Sequence, residues 1–514
     1  MTRTLAATEA AYHQRSITVS IPLRGLTASL VALFALDNIL LLGLLGCPHL
    51  LVAGLAILLP GVLAFLTYRT MSGKTRVGIA TIVACVAAAA IVLILGGEGR
   101  LFYASTDWQV RDAVLADMGT YRWPFDYWLN GRAQLLRAPI GMYLVPAILG
   151  GASQLGRDWS LLLQNSLVLG LLFAQASTLF EGRRARLIAI LVFVTFSGWD
   201  VLGNLILQWS GGEARWDHIE GWADGYEYSS HITQLFWVPQ HALAGWTVAI
   251  TYLLWRRNLA PVGLFAASLP LVALWSPLIL FGALPFAVFA GLHVLLTRAW
   301  NGRDVLFTLV ATVLAMPALI YLSTDAGAMG GGLLPPKALV YTLVMLFEVV
   351  PFLLPILHDR DSLIDPGTKL IAAACLFLMP SWSIGTFGDF QMRASIMPLA
   401  LVAIAFADWA NRLIDWRKRI SFLMIVCLGS VTGAVEIAQA LRFSPSPAPR
   451  CSLAAVWNRQ TSRTAPDAAY FVPIHAFRFE IKPVERVSAA IPARCWDHPW
   501  HMPIGATTGQ QKNP

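Results

Sequence analysis

Long apolar runs recur through most of this chain and restrict what it can fold into. Between residues 27 and 441 they come close to the ~20 residues that a helix needs to cross the hydrocarbon core of a bilayer. Apolar residues make up 57% of the chain and charged residues 13%, about half the ~25% charged share of soluble domains. This composition excludes an ordinary soluble globule and predicts an all-α polytopic membrane protein.

About thirteen of these runs are long enough to be membrane spans. Residues 1–26 then form a cytoplasmic N-terminus, residues 27–441 the transmembrane domain, and residues 442–514 a small extramembrane C-terminal region. The predicted spans are residues 27–46, 50–69, 77–97, 160–180, 185–206, 234–255, 259–276, 278–297, 304–323, 338–357, 369–386, 395–412 and 419–441.

Basic residues predict how these spans are oriented. Arg and Lys concentrate in five short turns, at residues 69–76, 183–186, 256–257, 298–303 and 412–419. All five turns face the cytoplasm, as the positive-inside rule requires, only if the apolar stretch 139–152 stays at the outer surface. The net charge of +8 therefore reflects membrane orientation, and we expect no nucleic-acid partner. The segments predicted to face outward are 98–159, 207–233, 324–336, 387–394 and the C-terminal region.

The first outer loop carries an unusual set of charged residues. Asp107 follows the preceding span by about ten residues, and Asp112 and Asp117 follow at steps of five. Arg137 stands two residues before Pro139, at the start of an apolar segment. A membrane-surface helix with solvated acids explains this pattern, but acids near a bilayer are disfavoured unless they have a partner or a task.

This order of features resembles the first outer loop of GT-C glycosyltransferases, among them the bacterial aminoarabinose and mannosyl transferases. The shared order is an acid after an outward-going span, an amphipathic surface helix, Trp-Pro, a cation before a proline that opens a second, Tyr-bearing surface helix, and a return span ending in Gly-Arg-Arg-Ala-Arg. The resemblance covers roughly residues 78–206. The chain departs from the pattern at Trp108, where many members have a second acid, and in two additional spans before residue 77.

The resemblance implies an inverting glycosyltransferase with a GT-C-like helical bundle in the bacterial inner membrane, its active site facing the periplasm. Asp107 matches the catalytic carboxylate, which accepts the proton of an attacking acceptor hydroxyl. Arg137 matches the cation before the family's proline and would contact the phosphate leaving group, where we also place Arg393 and His241. The implied partners are a polyprenyl-phosphate-linked sugar, an envelope glycan, lipid or protein acceptor, and membrane lipids.

The second outer loop and the start of the next run are rich in acids and histidines. Asp217, His218, Glu220 and His231 are residue types that bind divalent metals, but their spacing matches no known metal signature. Hydrogen-bonded loop residues are the alternative, so no cofactor is certain. The predicted acceptor or secondary site residues are Asp112, Asp217, His218, Glu227, His231 and Gln240.

Two further features stay open between structural and functional interpretations. His241 lies inside an apolar run, where a histidine is either a functional group or a hydrogen-bonded structural one. Asp389 and Arg393 are four residues apart at a helix start and can pair. The pair is either a structural clamp, or Arg393 joins Arg137 on the donor phosphate.

The C-terminal region changes composition after residue 441. Alternating apolar residues from Tyr470 to Ile481 predict one or two short strands, and the last ten residues are expected to lack regular structure. An outward location permits a disulfide between Cys451 and Cys495, with two unpaired thiols as the alternative.

Two rival functions fit a membrane protein with this outer face. A transporter or flippase for a lipid-linked saccharide predicts repeated halves with broken spans. A polysaccharide polymerase would share the donor lipid and outer arginines without needing Asp107 as a base. We find no internal repeat, and the polar residues cluster on one side, so the transferase is the preferred hypothesis.

Overall fold

Helices account for most of the residues that the computed structural model describes. These are residues 19–223, 225–299, 301–334, 337–385, 388–460, 467–488 and 494–504. Most of the predicted cytoplasmic N-terminus (residues 1–18) and the last ten residues lie outside this set.

The α-helices of the described chain vary in length from one and a half to more than seven turns. They are α1 (Leu23–Leu44), α2 (His49–Thr70), α3 (Ile79–Leu95), α4 (Trp108–Thr120), α5 (Gly141–Gly150), α6 (Gln154–Ala176), α7 (Arg183–Val194), α8 (Asp200–Trp209), α9 (His231–Trp237), α10 (Pro239–Arg256), α11 (Val262–Val272), α12 (Ile279–Thr297), α13 (Gly302–Ser323), α14 (Ala338–Val344), α15 (Val350–His358), α16 (Pro366–Leu378), α17 (Asp389–Ala394), α18 (Ile396–Asn411), α19 (Trp416–Arg442) and α20 (Leu453–Gln460). A π-helical turn, Met345–Val349, joins α14 to α15.

Seven helices of the described chain are long and apolar enough to cross a membrane. They are Leu23–Leu44, His49–Thr70, Gln154–Leu179, Ile279–Thr297, Gly302–Ser323, Ala338–His358 and Trp416–Arg442. Helix α5, within the stretch predicted to stay at the outer surface, has ten residues. Its length of about 15 Å is half of a ~30 Å hydrocarbon core.

Three predicted spans are not single helices. The run 185–206 divides into α7 and α8, and the run 234–255 divides at Val238, because Pro239 has no amide hydrogen to continue the first helix. In the run 369–386, helix α16 ends early and Trp382–Ile384 forms a strand.

Eight short strands form three sheets in the described chain. The strands are β1 (Ser20–Pro22), β2 (Arg76–Gly78), β3 (Phe125–Leu129), β4 (Arg132–Leu136), β5 (Gly331–Leu333), β6 (Trp382–Ile384), β7 (Phe471–Pro473) and β8 (Glu485–Ser488). Strand β1 pairs with β2, β5 pairs with β6, and the largest sheet has the order β7-β4-β3-β8. This sheet joins the first outer loop to the C-terminal region, which therefore does not stand apart from the rest of the chain.

A hairpin starts the largest sheet. Asn130 and Gly131 connect β3 to β4, and both have positive φ angles, the conformation that two-residue hairpin turns require. The register pairs Tyr127 with Gln134. The resemblance to GT-C transferases implies two surface helices in this loop, but the hairpin lies between α4 and α5. The Asn-Gly dipeptide is a hairpin signal that the prediction overlooked.

The C-terminal region is held against the first outer loop by a carboxylate and stabilised by a disulfide. Asp117 Oδ2 accepts hydrogen bonds from the Leu453 amide at 2.7 Å and from the Tyr127 hydroxyl at 2.9 Å. Leu453 begins α20, so the carboxylate meets the positive end of that helix. Cys451 and Cys495 form a disulfide next to this contact. Of the predicted strand from Tyr470 to Ile481, only β7 forms, and β8 lies beyond it.

Replacing Asp117 with Ala should lower the stability of the folded protein by about 2 kcal/mol, because two buried hydrogen bonds are lost. Asp117→Asn keeps an acceptor oxygen and should cost less. Burial raises the pKa of Asp117 to about 7. The folded chain therefore binds more protons than the unfolded chain between about pH 4 and pH 7, and stability should fall as the pH rises through that window.

The measurement is the unfolding midpoint in detergent across this pH range. The asparagine variant should lack this part of the pH dependence. Equal destabilisation by Ala and Asn, with an unchanged pH profile, would contradict the assignment.

Candidate functional site

Two cavities meet at the Asp389–Arg393 pair. The polar cavity, of about 250 Å³, is lined by Asp107, His218, Glu227, Ser229, Thr233, Gln234, Trp237, Val238, Asp389, Met392 and Arg393. The apolar cavity, of about 610 Å³, has mostly aliphatic and aromatic walls, and its polar lining residues are Arg137, Gln240, His241, Ser323, Asp389, Arg393 and Tyr470. The structure thus brings most of the predicted site residues to one place.

Asp107 stands directly before α4 and reaches the polar cavity. Its Oδ2 accepts a hydrogen bond from Arg111 Nη2 at 3.1 Å, one helical turn away. The Asp107 side chain is 43% exposed and that of Arg111 is 3% exposed. Arg111 also lies 3.5 Å from the Tyr143 hydroxyl. The carboxylate is therefore oriented by a buried cation and remains open to a ligand in the cavity.

Trp108 holds the start of α4 in position. Its buried indole donates a hydrogen bond to the backbone carbonyl of Phe236 at 2.7 Å. That carbonyl lies at the break between α9 and α10, just before Pro239. The residue at the position where many GT-C transferases have a second acid therefore fixes Asp107 relative to the helix break.

The Asp389–Arg393 pair separates the two cavities. Arg393 Nη2 lies 2.7 Å from Asp389 Oδ1, so the predicted pairing is formed. Burial raises the pKa of Asp389, and the nearby charges of Asp107 and Glu227 add to this effect, while Arg393 and Arg111 oppose it. Two Asp–Arg pairs with the same four-residue spacing thus contribute carboxylates to the polar cavity.

Arg137 is a buried cation at the edge of the apolar cavity. Its guanidinium contacts Met329 Sδ at 3.3 Å and the carbonyl of Ala468. Its backbone amide donates to the Tyr470 carbonyl at 2.7 Å. Within the described residues Arg137 makes no ion pair, and its Nε has no hydrogen-bond partner. Burial lowers its pKa, and the nearby Tyr321 and Asp325 only partly oppose this effect.

His241 supplies a neutral polar group to the same cavity. Its Nδ1 lies 2.7 Å from Ser276 Oγ, and its Nε2 lies 3.4 Å from the side-chain nitrogen of Gln240. The Oε1 atom of Gln240 is buried without a hydrogen-bond partner. Both predicted residues therefore border the apolar cavity at the first turn of α10.

His218 and Glu227 lie together on the polar cavity. His218 Nε2 is 3.9 Å from Glu227 Oε2, and its Nδ1 is 3.9 Å from Glu436 Oε1. The imidazole packs on Trp237, with ring centroids 4.8 Å apart. Burial alone would lower the pKa of His218, but the nearby carboxylates of Glu436, Glu227 and Asp217 outweigh this effect and raise the pKa. This group offers hydrogen-bonding and stacking surfaces to a polar ligand.

Three predicted secondary residues line neither cavity. Asp112 is buried in an ion pair with Arg100 at 2.9 Å, and burial raises its pKa to about 6. Asp217 is exposed on the second outer loop. His231 is fully buried, with its Nδ1 at 2.6 Å from the Phe193 carbonyl. Asp112 thus pairs with a neighbouring charge and His231 with a backbone carbonyl, whereas Asp217 lies at the surface.

The residues suggested as metal ligands do not converge. Glu220 Oε1 accepts hydrogen bonds from the Ser230 amide and the Thr233 hydroxyl, each at 2.7 Å. Asp217 is exposed at the surface, and His231 is bound to the Phe193 carbonyl. In the part of the chain that the structure describes, no group of three or more histidines, cysteines and acids is arranged to hold a metal ion.

Sequence reasoning missed three contributors to the site. Arg111 was identifiable, because a cation four residues after an acid in a helix is a common ion-pair pattern. Tyr470 and Glu436 had no local signal, since Tyr470 reaches the apolar cavity from the C-terminal region and Glu436 approaches His218 from α19.

No protein-family model matches the chain, and comparison with curated proteins and with solved structures gave no match.

Trp108→Phe should lower the unfolding free energy by about 1 kcal/mol, because the buried Phe236 carbonyl loses its indole donor. The unfolding midpoint in detergent measures this effect. The matched control is Trp209→Phe, since Trp209 is 91% exposed and its substitution should leave the midpoint unchanged. Equal midpoints for the two variants would show that the Trp108 hydrogen bond does not hold the α9–α10 break.

Proposed function

We propose that this chain is a GT-C-like membrane glycosyltransferase of about thirteen spans. It transfers a sugar from a polyprenyl-phosphate donor to an envelope acceptor at the periplasmic face of a bacterial inner membrane. One observation carries the proposal: a polar cavity containing Asp107 meets an apolar cavity containing an unpaired arginine, and Asp389 and Arg393 line both. A reaction that joins a polar acceptor to a lipid-linked donor needs this combination of surfaces.

The apolar cavity suits the donor. Its walls include Phe281, Leu284 and Leu319, which offer an apolar surface to a polyprenyl chain. Arg137 and Arg393 border the same space. A phosphate bound there would therefore form with Arg137 the ion pair that this residue lacks. Fixed cations stabilise the charge that develops on a leaving phosphate more than the ground state.

The polar cavity suits the acceptor. An acceptor hydroxyl beside Asp107 would attack the anomeric carbon of the donor sugar as the bond from that carbon to the phosphate oxygen breaks. The hydroxyl proton passes to the Asp107 carboxylate, and the bonding electron pair leaves with the phosphate. Attack from the side opposite the phosphate inverts the anomeric configuration. Glu227 and His218 would hold other hydroxyls of the acceptor.

Asp107→Asn should reduce transfer by about 10²- to 10⁴-fold, the range that general-base catalysis typically supplies. The measurement is sugar release and transfer in nanodiscs, using a panel of radiolabelled polyprenyl-phosphate sugars. Asp217→Asn is the matched control, because Asp217 lies outside both cavities. Full activity of a folded Asp107→Asn protein would overturn the role of Asp107.

Arg137→Met should raise the KM for the donor by at least about tenfold, because a charge-assisted contact to phosphate contributes about 1.5–3 kcal/mol. Arg132→Met is the control, since Arg132 is exposed on the neighbouring hairpin.

Donor binding without sugar release in the wild type, unaffected by Asp107→Asn, would favour a flippase over a transferase.

A further inference from the structure

Two basic turns that are distant in the sequence meet at the end of the bundle opposite the cavities. Helix α18 begins next to Arg393 and ends at Asn411, so its 16 residues separate the two regions by about 24 Å. The Asn411 side chain donates a hydrogen bond to the Ala185 carbonyl at 3.2 Å. This contact brings the start of α7 against the turn between α18 and α19.

A cleft of about 870 Å³ opens between these two turns. Four arginines line it, Arg183 and Arg184 from one side and Arg412 and Arg419 from the other, with Glu181 as the acid of its lining. The cleft is therefore strongly electropositive.

The arginines of the cleft differ in how far their charges are compensated. Arg412 is paired with Asp359 at its Nη1 and with Asp408 at its Nη2, at 2.8 and 2.7 Å. Among the described residues, the Arg419 side chain donates to the Leu413 carbonyl alone, at 3.0 Å. In the described part of the chain, no hydrogen bond or ion pair engages the side chains of Arg183 and Arg184. Three guanidinium groups therefore remain available to an anion.

The same cleft has apolar walls. Ile188 and Phe422 face it from α7 and α19, and Leu423 lines it while remaining 56% exposed. Leu187 and Leu191, farther along α7, are 62% and 63% exposed. Leu423 belongs to α19, one of the seven helices long and apolar enough to cross a membrane, and exposed leucines beside such a helix are surfaces for acyl chains. An anionic head between arginines, with apolar tails along α7 and α19, fits the whole cleft.

We propose that this cleft is a binding site for an anionic phospholipid, whose phosphodiester lies among Arg183, Arg184 and Arg419. The site is independent of the proposed transferase activity, since it lies at the other end of α18. Clusters of basic residues between membrane helices are the recognised surroundings of anionic headgroups. Arg412 and its two acids hold the cleft's shape and leave the other three arginines to bind the lipid.

The test is the unfolding midpoint of the full chain in a zwitterionic detergent, with phosphatidylglycerol or phosphatidylcholine added. Phosphatidylglycerol should raise the wild-type midpoint by about 3 °C over phosphatidylcholine, because a ligand that binds only the folded state stabilises it. The variant R183Q/R184Q/R419Q should lose at least two thirds of this shift.

The matched control variant is R257Q/R298Q/R303Q. It removes three exposed arginines from other turns predicted to lie on the same membrane side. This control should keep the full shift. Equal loss in both variants would show general attraction to basic residues and overturn the proposal, as would a wild-type shift of zero. An equal shift with inorganic phosphate would also overturn it, because the ligand would then be a free anion instead of a lipid.

Discussion

Helix breaks inside an apolar bundle form only where other groups satisfy the freed backbone carbonyls and amides. At the break before Pro239, the Trp108 indole donates a hydrogen bond to the Phe236 carbonyl. At the break between α7 and α8, the His231 amide donates to the Phe196 carbonyl. The Trp199 amide donates to the Phe347 carbonyl. These bonds set where α4 starts, where α10 begins and how α8 meets the π-helical turn. The position of both cavities depends on them.

The charges of the molecule divide into compensated and uncompensated groups. Asp107 with Arg111 and Asp389 with Arg393 form local ion pairs, and each arginine offsets part of the cost of holding a carboxylate in the polar cavity. Arg137 has no such partner in the described chain and is held by backbone carbonyl and thioether contacts from the C-terminal region and the loop after α13. A buried cation without an ion-pair partner beside a cavity is the arrangement expected where an anionic ligand completes the pairing.

The resemblance to GT-C transferases and the outer loops led us to expect Asp107, Arg137, His241 and Arg393 together, and these residues border two adjoining cavities. Periodicity and composition predicted the membrane-protein class and the abundance of helix. They failed where an apolar run conceals a break, as at Val238, because hydropathy does not report which backbone bonds are replaced by tertiary ones. His231 shows the converse error. A histidine in an acid-rich loop has the composition of a ligand, yet its imidazole serves the Phe193 carbonyl.

The sequence alone determined that this chain needs an apolar surrounding, since too few charged residues exist to cover its apolar surface in water. It also determined the local pairs, Asp107 with Arg111 and Asp389 with Arg393, because helical geometry places residues four apart together. Only the tertiary structure decided that the C-terminal region completes the sheet with β3 and β4 and brings Tyr470 to the apolar cavity. Strands β4 and β7 are more than three hundred residues apart in the sequence. Whether they pair depends on the packing of the whole chain, which no local sequence pattern indicates.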